Sequence, residues 1–131
     1  MTASDTALGT RRQSVLDRLT ADRGSFAPAH AMIADWDPRA VELFHDNYMH
    51  VMTGDGPLTP KFRELLLIAV DAATYYHDGT RVHIHDALAK GATEDEVFQA
   101  IKVAALAGGM HVLLAGAEQL RVVLEQRGAD S

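Results

Sequence analysis

The stretch from Thr59 to Glu96 contains the start and stop signals of consecutive helices, and it constrains the fold more than any other part of the chain. Thr59-Pro60 is a helix N-cap followed by proline at the first helical position, and a nearly continuous apolar run from Leu65 to Val70 follows it. Gly91 ends a second helical segment, and residues 93–96 have the spacing of a capping box, which opens a third. The sequence therefore predicts a helical hairpin that is followed by a further helix.

The other periodic segments are also helical. Apolar residues at helical spacing predict a short helix over about residues 13–20, a longer one from Pro38 to the break at residues 54–57, and a last one from Met110 to Arg127 after the glycine pair 108–109. No segment shows convincing strand alternation. We therefore expect an all-α fold of about six helices, in a single domain over residues 13–128 after a flexible arm over residues 1–12.

The composition excludes several classes of function. The 131 residues carry a net charge of -6, and Lys and Arg are scattered, so there is no basic stripe for nucleic acid. The chain has no cysteine, which excludes a disulfide scaffold and any cysteine-based zinc or iron–sulfur site. This composition fits a cytoplasmic protein, and residues 1–12 lack the pattern of a secretory signal. The most apolar stretch, residues 103–117, is too short for a membrane span, so we expect no membrane partner.

Four residues carry a resemblance to a known motif, and they are Glu64, Tyr76, Gly79 and His83. Their spacing resembles E-x11-C-x2-C-x3-H, the redox motif of the alkylhydroperoxidase D and carboxymuconolactone decarboxylase superfamily. The helix, glycine turn and alanine-rich helix over residues 87–109 are similar to the same superfamily, and the resemblance extends from about Pro38 to Leu120. It implies an alkylhydroperoxidase D-like helical domain that forms homotrimers or homohexamers. Both cysteine positions are replaced, so thiol peroxidase chemistry, which needs a thiolate, is excluded.

Glu64 and His83 match the glutamate and histidine of that motif and are candidate catalytic residues. Placement against an apolar helix predicts a raised pKa for Glu64, which suits proton transfer, whereas the alternative is a surface ion pair with Lys61, three residues earlier. Since an unperturbed imidazole has a pKa of roughly 6.5, His83 can exchange protons near neutrality, and the alternative is a core histidine with satisfied hydrogen bonds.

The two positions of the missing cysteines have their own interpretations. Tyr76, the third candidate catalytic residue, supplies a phenol that can donate a hydrogen bond to an oxyanion, and plain packing is its alternative. Gly79 would open room for a substrate or allow a positive φ. Loops between rigid helices often carry binding groups, so we expect at least one residue of the loop over residues 75–79 to be functional.

The resemblance implies a cofactor-independent lyase or isomerase that acts on a small lactone or carboxylic acid. In this hypothesis His83 delivers a proton, Glu64 orients or recharges His83, and Tyr76 with an arginine steadies the anion. The candidate substrate-binding residues are Arg63, Arg81, His77 and His111.

Two alternatives remain open at the level of sequence. One is a metal-dependent enzyme of the same fold, which would use Glu64, His83 and His111, with His77 as a further ligand. His83 and His85 cannot both bind one ion from a regular helix, because residues two apart point in nearly opposite directions. The other alternative is a non-catalytic oligomeric binding protein that kept the fold after losing the cysteines.

Overall fold

The structure, a computed structural model, describes residues 1–131 and confirms the all-α prediction. It contains seven helices and no strand. The helices are α1 (Ala3–Arg23), α2 (Pro28–Trp36), α3 (Pro38–Thr53), α4 (Pro60–Ala73), α5 (His77–Ala89), α6 (Glu94–Gly108) and α7 (Met110–Ala129). Contacts divide the chain into two compact units, Met1–Gly54 and Asp55–Ser131, where the sequence indicated a single domain. None of the helices combines the length and the apolar character that a bilayer crossing requires.

The first unit consists of α1, α2 and α3, which all pack against one another. Its core is a cluster of buried apolar residues: Val15, Leu16, Leu19, Ala34 and Val41. Residues 3–12, which we expected to form a flexible arm, are helical, because Thr2 and Asp5 form a capping box that starts α1. Helix α2 was not predicted from the sequence, although Pro28 occupies its first turn, where proline is favoured.

The second unit contains α4 to α7 and carries the predicted hairpin. All four helices contact one another, and α4 makes its most extensive contacts with α5 and α6. The predicted caps are present: Thr59 accepts a hydrogen bond from Phe62 N at 3.2 Å, and Thr93 forms a capping box with Glu96 before α6. Gly109 has a φ of 84° and separates α6 from α7, as the glycine pair predicted.

The core of the second unit lies between its four helices. It consists of Ile68, Ile84, Ala87, Ala92, Val97, Ile101, Leu120 and Val123. Helices α6 and α7 approach closely at Gly116, where a Cβ atom would lie only 2.5 Å from Ile101 Cγ2. This packing fixes α4 and α5, which carry the polar residues considered next.

Candidate active site

Glu64 and His83 meet inside the second unit. Glu64 Oε2 lies 2.7 Å from His83 Nδ1, and Glu64 Oε1 accepts a hydrogen bond from Lys90 Nζ at 2.6 Å. The exposed fraction is 1% for Glu64 and 6% for His83. A buried carboxylate is tolerated when its oxygens have hydrogen-bond donors, and here both oxygens have a nitrogen partner. The result is a fixed carboxylate–imidazole pair that is anchored on α4 and α5.

The charge state of Glu64 differs from the sequence prediction. Burial is the largest single influence and opposes ionisation, but the hydrogen bonds and positive charges of His83 and Lys90 outweigh it, so the pKa of Glu64 is lowered from its ordinary value. The predicted raised pKa is therefore wrong. The alternative of an ion pair with Lys61 is wrong as well, because Lys61 Nζ binds Glu96 Oε1 at 3.1 Å. An ionised Glu64 can only accept a hydrogen bond, so the Nδ1 proton is directed at it, and Nε2 is the ring nitrogen on the side of Asp71.

Asp71 lies on the other side of the imidazole. Its Oδ2 atom is 3.8 Å from His83 Nε2, and its side chain is 16% exposed. Burial raises the pKa of Asp71, and the positive charge of His83 only partly opposes that rise. The imidazole thus has a carboxylate of lowered pKa at Nδ1 and a carboxyl group of raised pKa at Nε2. The sequence placed Asp71 on the helix face of Glu64, seven residues later, but this signal did not assign it a role.

Gly79 does not leave open space, in contrast to the prediction. A Cβ atom at this position would lie 2.4 Å from Asp71 Oδ2 and 2.4 Å from Tyr76 Cδ1. Gly79 is also an ordinary residue of α5, while the positive φ of the turn belongs to Tyr75, at 59°. The carboxyl of Asp71 and the ring of Tyr76 therefore fill the position into which a side chain at residue 79 would project.

The turn before α5 is held by backbone and hydroxyl hydrogen bonds. Tyr76 N donates to Asp71 O at 2.9 Å, and the buried Thr80 donates through Oγ1 to Tyr76 O at 2.9 Å. The Tyr76 side chain is about half exposed, at 51%. Its phenol is thus presented at the edge of the site rather than packed in the core.

The two predicted arginines have definite partners. Arg81 binds Asp78 and Gln119 through its guanidinium group. Arg63 donates from Nε to Leu58 O at 2.9 Å. Both side chains therefore tie a neighbouring segment in place.

The other predicted histidines are on the surface. His77 is exposed and makes an edge contact with the Tyr75 ring, at 6.5 Å between ring centroids, and His111 is exposed at the start of α7. His85 is exposed and pairs with Gln126 at 3.2 Å, so it points away from the buried His83, as their spacing predicted.

A third acidic residue comes close to the buried pair. Glu64, His83 and Asp86 each bring one potential ligand atom within 4.8 Å of the others. The third potential ligand in this cluster is therefore Asp86, whereas the sequence suggested His111, with His77 as a further ligand. However, the ammonium of Lys90 and the imidazole of His83 already contact the two oxygens of Glu64. A metal ion would have to displace a cation that the chain itself supplies. The donor set therefore favours an acid/base network over a metal centre.

An apolar groove of about 400 Å³ lies beside α4 and α6, apart from the buried pair. Phe62, Leu66 and Val103 line it and are exposed. These three side chains leave a stripe of apolar surface exposed along α4 and α6.

Comparison with known proteins finds that the chain matches the model of a sequence family and resembles a solved structure. The model of the carboxymuconolactone decarboxylase family matches residues 38–121. A crystal structure of a protein from Burkholderia xenovorans LB400, provisionally named a carboxymuconolactone decarboxylase, is similar with a TM-score of 0.80 and 17% identity, over 93% of this chain and 95% of that chain. At this identity the likeness concerns the fold. No curated protein sequence matches the chain.

Proposed function

The chain belongs to the carboxymuconolactone decarboxylase family, and we propose that it is a cofactor-independent lyase that acts on a small lactone or carboxylic acid by acid/base chemistry. One observation carries the proposal: the buried contact of 2.7 Å between Glu64 Oε2 and His83 Nδ1. A carboxylate in this position holds the imidazole in one orientation, with the Nδ1 proton directed at Glu64, which is how buried acids position catalytic histidines. In this proposal His83 transfers a proton through Nε2, the ring nitrogen opposite the Glu64 contact.

The reaction needs an electron sink and a proton. When the C–C bond to the leaving carboxylate breaks, its electron pair passes into the conjugated carbonyl of the substrate, and the resulting enolate must be protonated at carbon. The imidazolium of His83 gives its Nε2 proton to that carbon and returns to the neutral form. Carbon dioxide leaves, and charge and atoms are conserved without a cofactor.

The remaining candidate residues are proposed to bind the substrate. The half-exposed phenol of Tyr76 donates a hydrogen bond to the enolate oxygen. Arg63 or Arg81 supplies positive charge for a substrate carboxylate. His77 and His111 are proposed as further substrate contacts, and their exposure leaves them accessible to a ligand.

Carboxymuconolactone is the first substrate to test. We expect the purified protein to release one carbon dioxide for each substrate molecule consumed, over many turnovers per chain. Gas trapping measures the carbon dioxide, and NMR measures the product. Turnover should persist with a chelator, and elemental analysis of untagged protein should give far less than one metal ion per chain. An absence of turnover with carboxymuconolactone and related lactone acids would favour a binding protein. One bound ion per chain whose removal abolishes turnover would favour the metal-dependent alternative.

We also propose that the chain assembles into homotrimers or homohexamers, in the cytoplasm. Phe62, Leu66 and Val70 recur at four-residue steps on α4 and are exposed, and extended apolar patches of this kind commonly form interfaces. The lack of cysteine fits a reducing compartment. Sedimentation at micromolar concentration should give a species of three or six chains, and a monomer would contradict the assembly.

A further inference from the structure

We propose that Asp71 is the proton relay of this site and returns a proton to Nε2 of His83 after each turnover. Its carboxyl group occupies the space into which a side chain at residue 79 would project. The inference rests on the proposed acid/base function and adds a step to it. Each time His83 gives its Nε2 proton to a substrate, the nearly buried ring must regain one before it can act again.

Glu64 is poorly suited to that task. Its pKa is lowered, so it holds its charge and gives up a proton only at acidic pH. It also faces Nδ1, the ring nitrogen on the opposite side from the one that reacts. Glu64 therefore orients the imidazole, and a different group has to supply the proton.

Asp71 has the required geometry. Its Oδ2 atom faces Nε2 at 3.8 Å, so a shift of about 1 Å makes a hydrogen bond of ordinary length. The side chain keeps 16% of its surface in solvent, compared with 8% for the His83 side chain, so Asp71 connects the ring with water. In one cycle water protonates the Asp71 carboxylate, the carboxyl passes this proton to Nε2, and the charge returns to the carboxylate.

The surroundings favour proton exchange at Asp71. Burial raises its pKa and brings it nearer to that of an imidazole, which makes transfer between the two groups less uphill. The groups that face Asp71 are His83 from α5 and the ring of Tyr76 from the turn, with Glu64 on its own helix across the imidazole. Asp86 also brings one carboxylate oxygen within 4.8 Å of the Glu64–His83 pair. Asp71 is the acid whose Oδ2 atom faces Nε2, at 3.8 Å.

The position of the Asp71 carboxyl explains why residue 79 is a glycine. Any Cβ atom at residue 79 would collide with Oδ2, so the glycine is needed for the carboxyl to reach this position. In the motif that this segment resembles, a thiol would occupy the same region. The chain thus has a proton-carrying carboxyl where the motif has sulfur.

The test compares Asp71→Asn with Asp95→Asn, which changes an exposed carboxyl on the first turn of α6. With carboxymuconolactone we expect Asp71→Asn to lower kcat about 100-fold with little change in KM, and Asp95→Asn to have no effect. In Asp71→Ala, added formate should restore part of kcat, because a small acid can enter the vacated space and carry the proton. A purely structural role would not respond to formate.

A second measurement needs no substrate and separates this inference from the proposed function. Carboxyl ¹³C NMR should show Asp71 titrating above the ordinary aspartate value of 3.8, and further above it in His83→Gln, since the positive charge of His83 lowers the pKa of Asp71. The ring ¹⁵N shifts of His83 should change in Asp71→Asn. An ordinary titration of Asp71 together with unchanged His83 shifts, or an unaltered kcat in an active Asp71→Asn enzyme, would overturn the relay and leave the lyase assignment standing.

Discussion

Glu64→Ala should lower the free energy of unfolding by about 3–5 kcal/mol, because it removes one partner of a buried charged network. His83 would remain almost fully buried without the acceptor at Nδ1, and a cavity would form at a position that is 1% exposed. The Lys90 side chain is 39% exposed and can turn to solvent, so most of the loss comes from His83 and the cavity. Urea denaturation followed by helical circular dichroism measures the change.

The matched control for this substitution is Glu118→Ala. Glu118 is also a carboxylate paired with a cation, Arg121, but the pair is on the surface, so its loss should have a far smaller effect. The effect of Glu64→Ala should also depend on pH. Since folding lowers the pKa of Glu64, its ionised form contributes stability above the ordinary value of 4.5, and this contribution is lost as the pH falls below 4.5 through the folded pKa. Equal losses for both variants, or a difference from the unsubstituted protein that grows in acid, would contradict the buried network.

Helix boundaries were predictable where a local signal fixes them. Helix α3 begins at Pro38 after the Asp37 cap and ends before Gly54, and α6 begins after the capping box at Thr93, as expected from residues within one turn of each boundary. The first half of α1 was missed, because its residues are exposed and lack the apolar period that marks a packed helix. Its start depends on the Thr2 cap, whose signal was overlooked in a polar segment.

The candidate site was predictable only in part. Spacing within the motif identified Glu64 and His83, but no signal assigned Lys90 to the site. The sign of the pKa shift of Glu64 depends on two donors outside α4, His83 on α5 and Lys90 directly after it. Such contacts cannot be obtained from the hydrophobic period of α4 alone. The role of Asp71 was missed for the same reason, since its proximity to Nε2 follows from the packing of α4 against α5.

His83→Gln should lower kcat for carboxymuconolactone by about 10²–10⁴-fold, the usual effect of removing a proton-transfer group. The amide of glutamine can still donate a hydrogen bond to Glu64, so the fold and KM should change little while the proton at Nε2 is lost. His85→Gln is the control, because His85 is exposed on the same helix, two residues away, and pairs with Gln126. Steady-state kinetics of both variants, with circular dichroism to verify folding, distinguish the roles. Full turnover in His83→Gln would falsify the acid/base assignment, because a carboxamide cannot give up a proton as the imidazolium of His83 does.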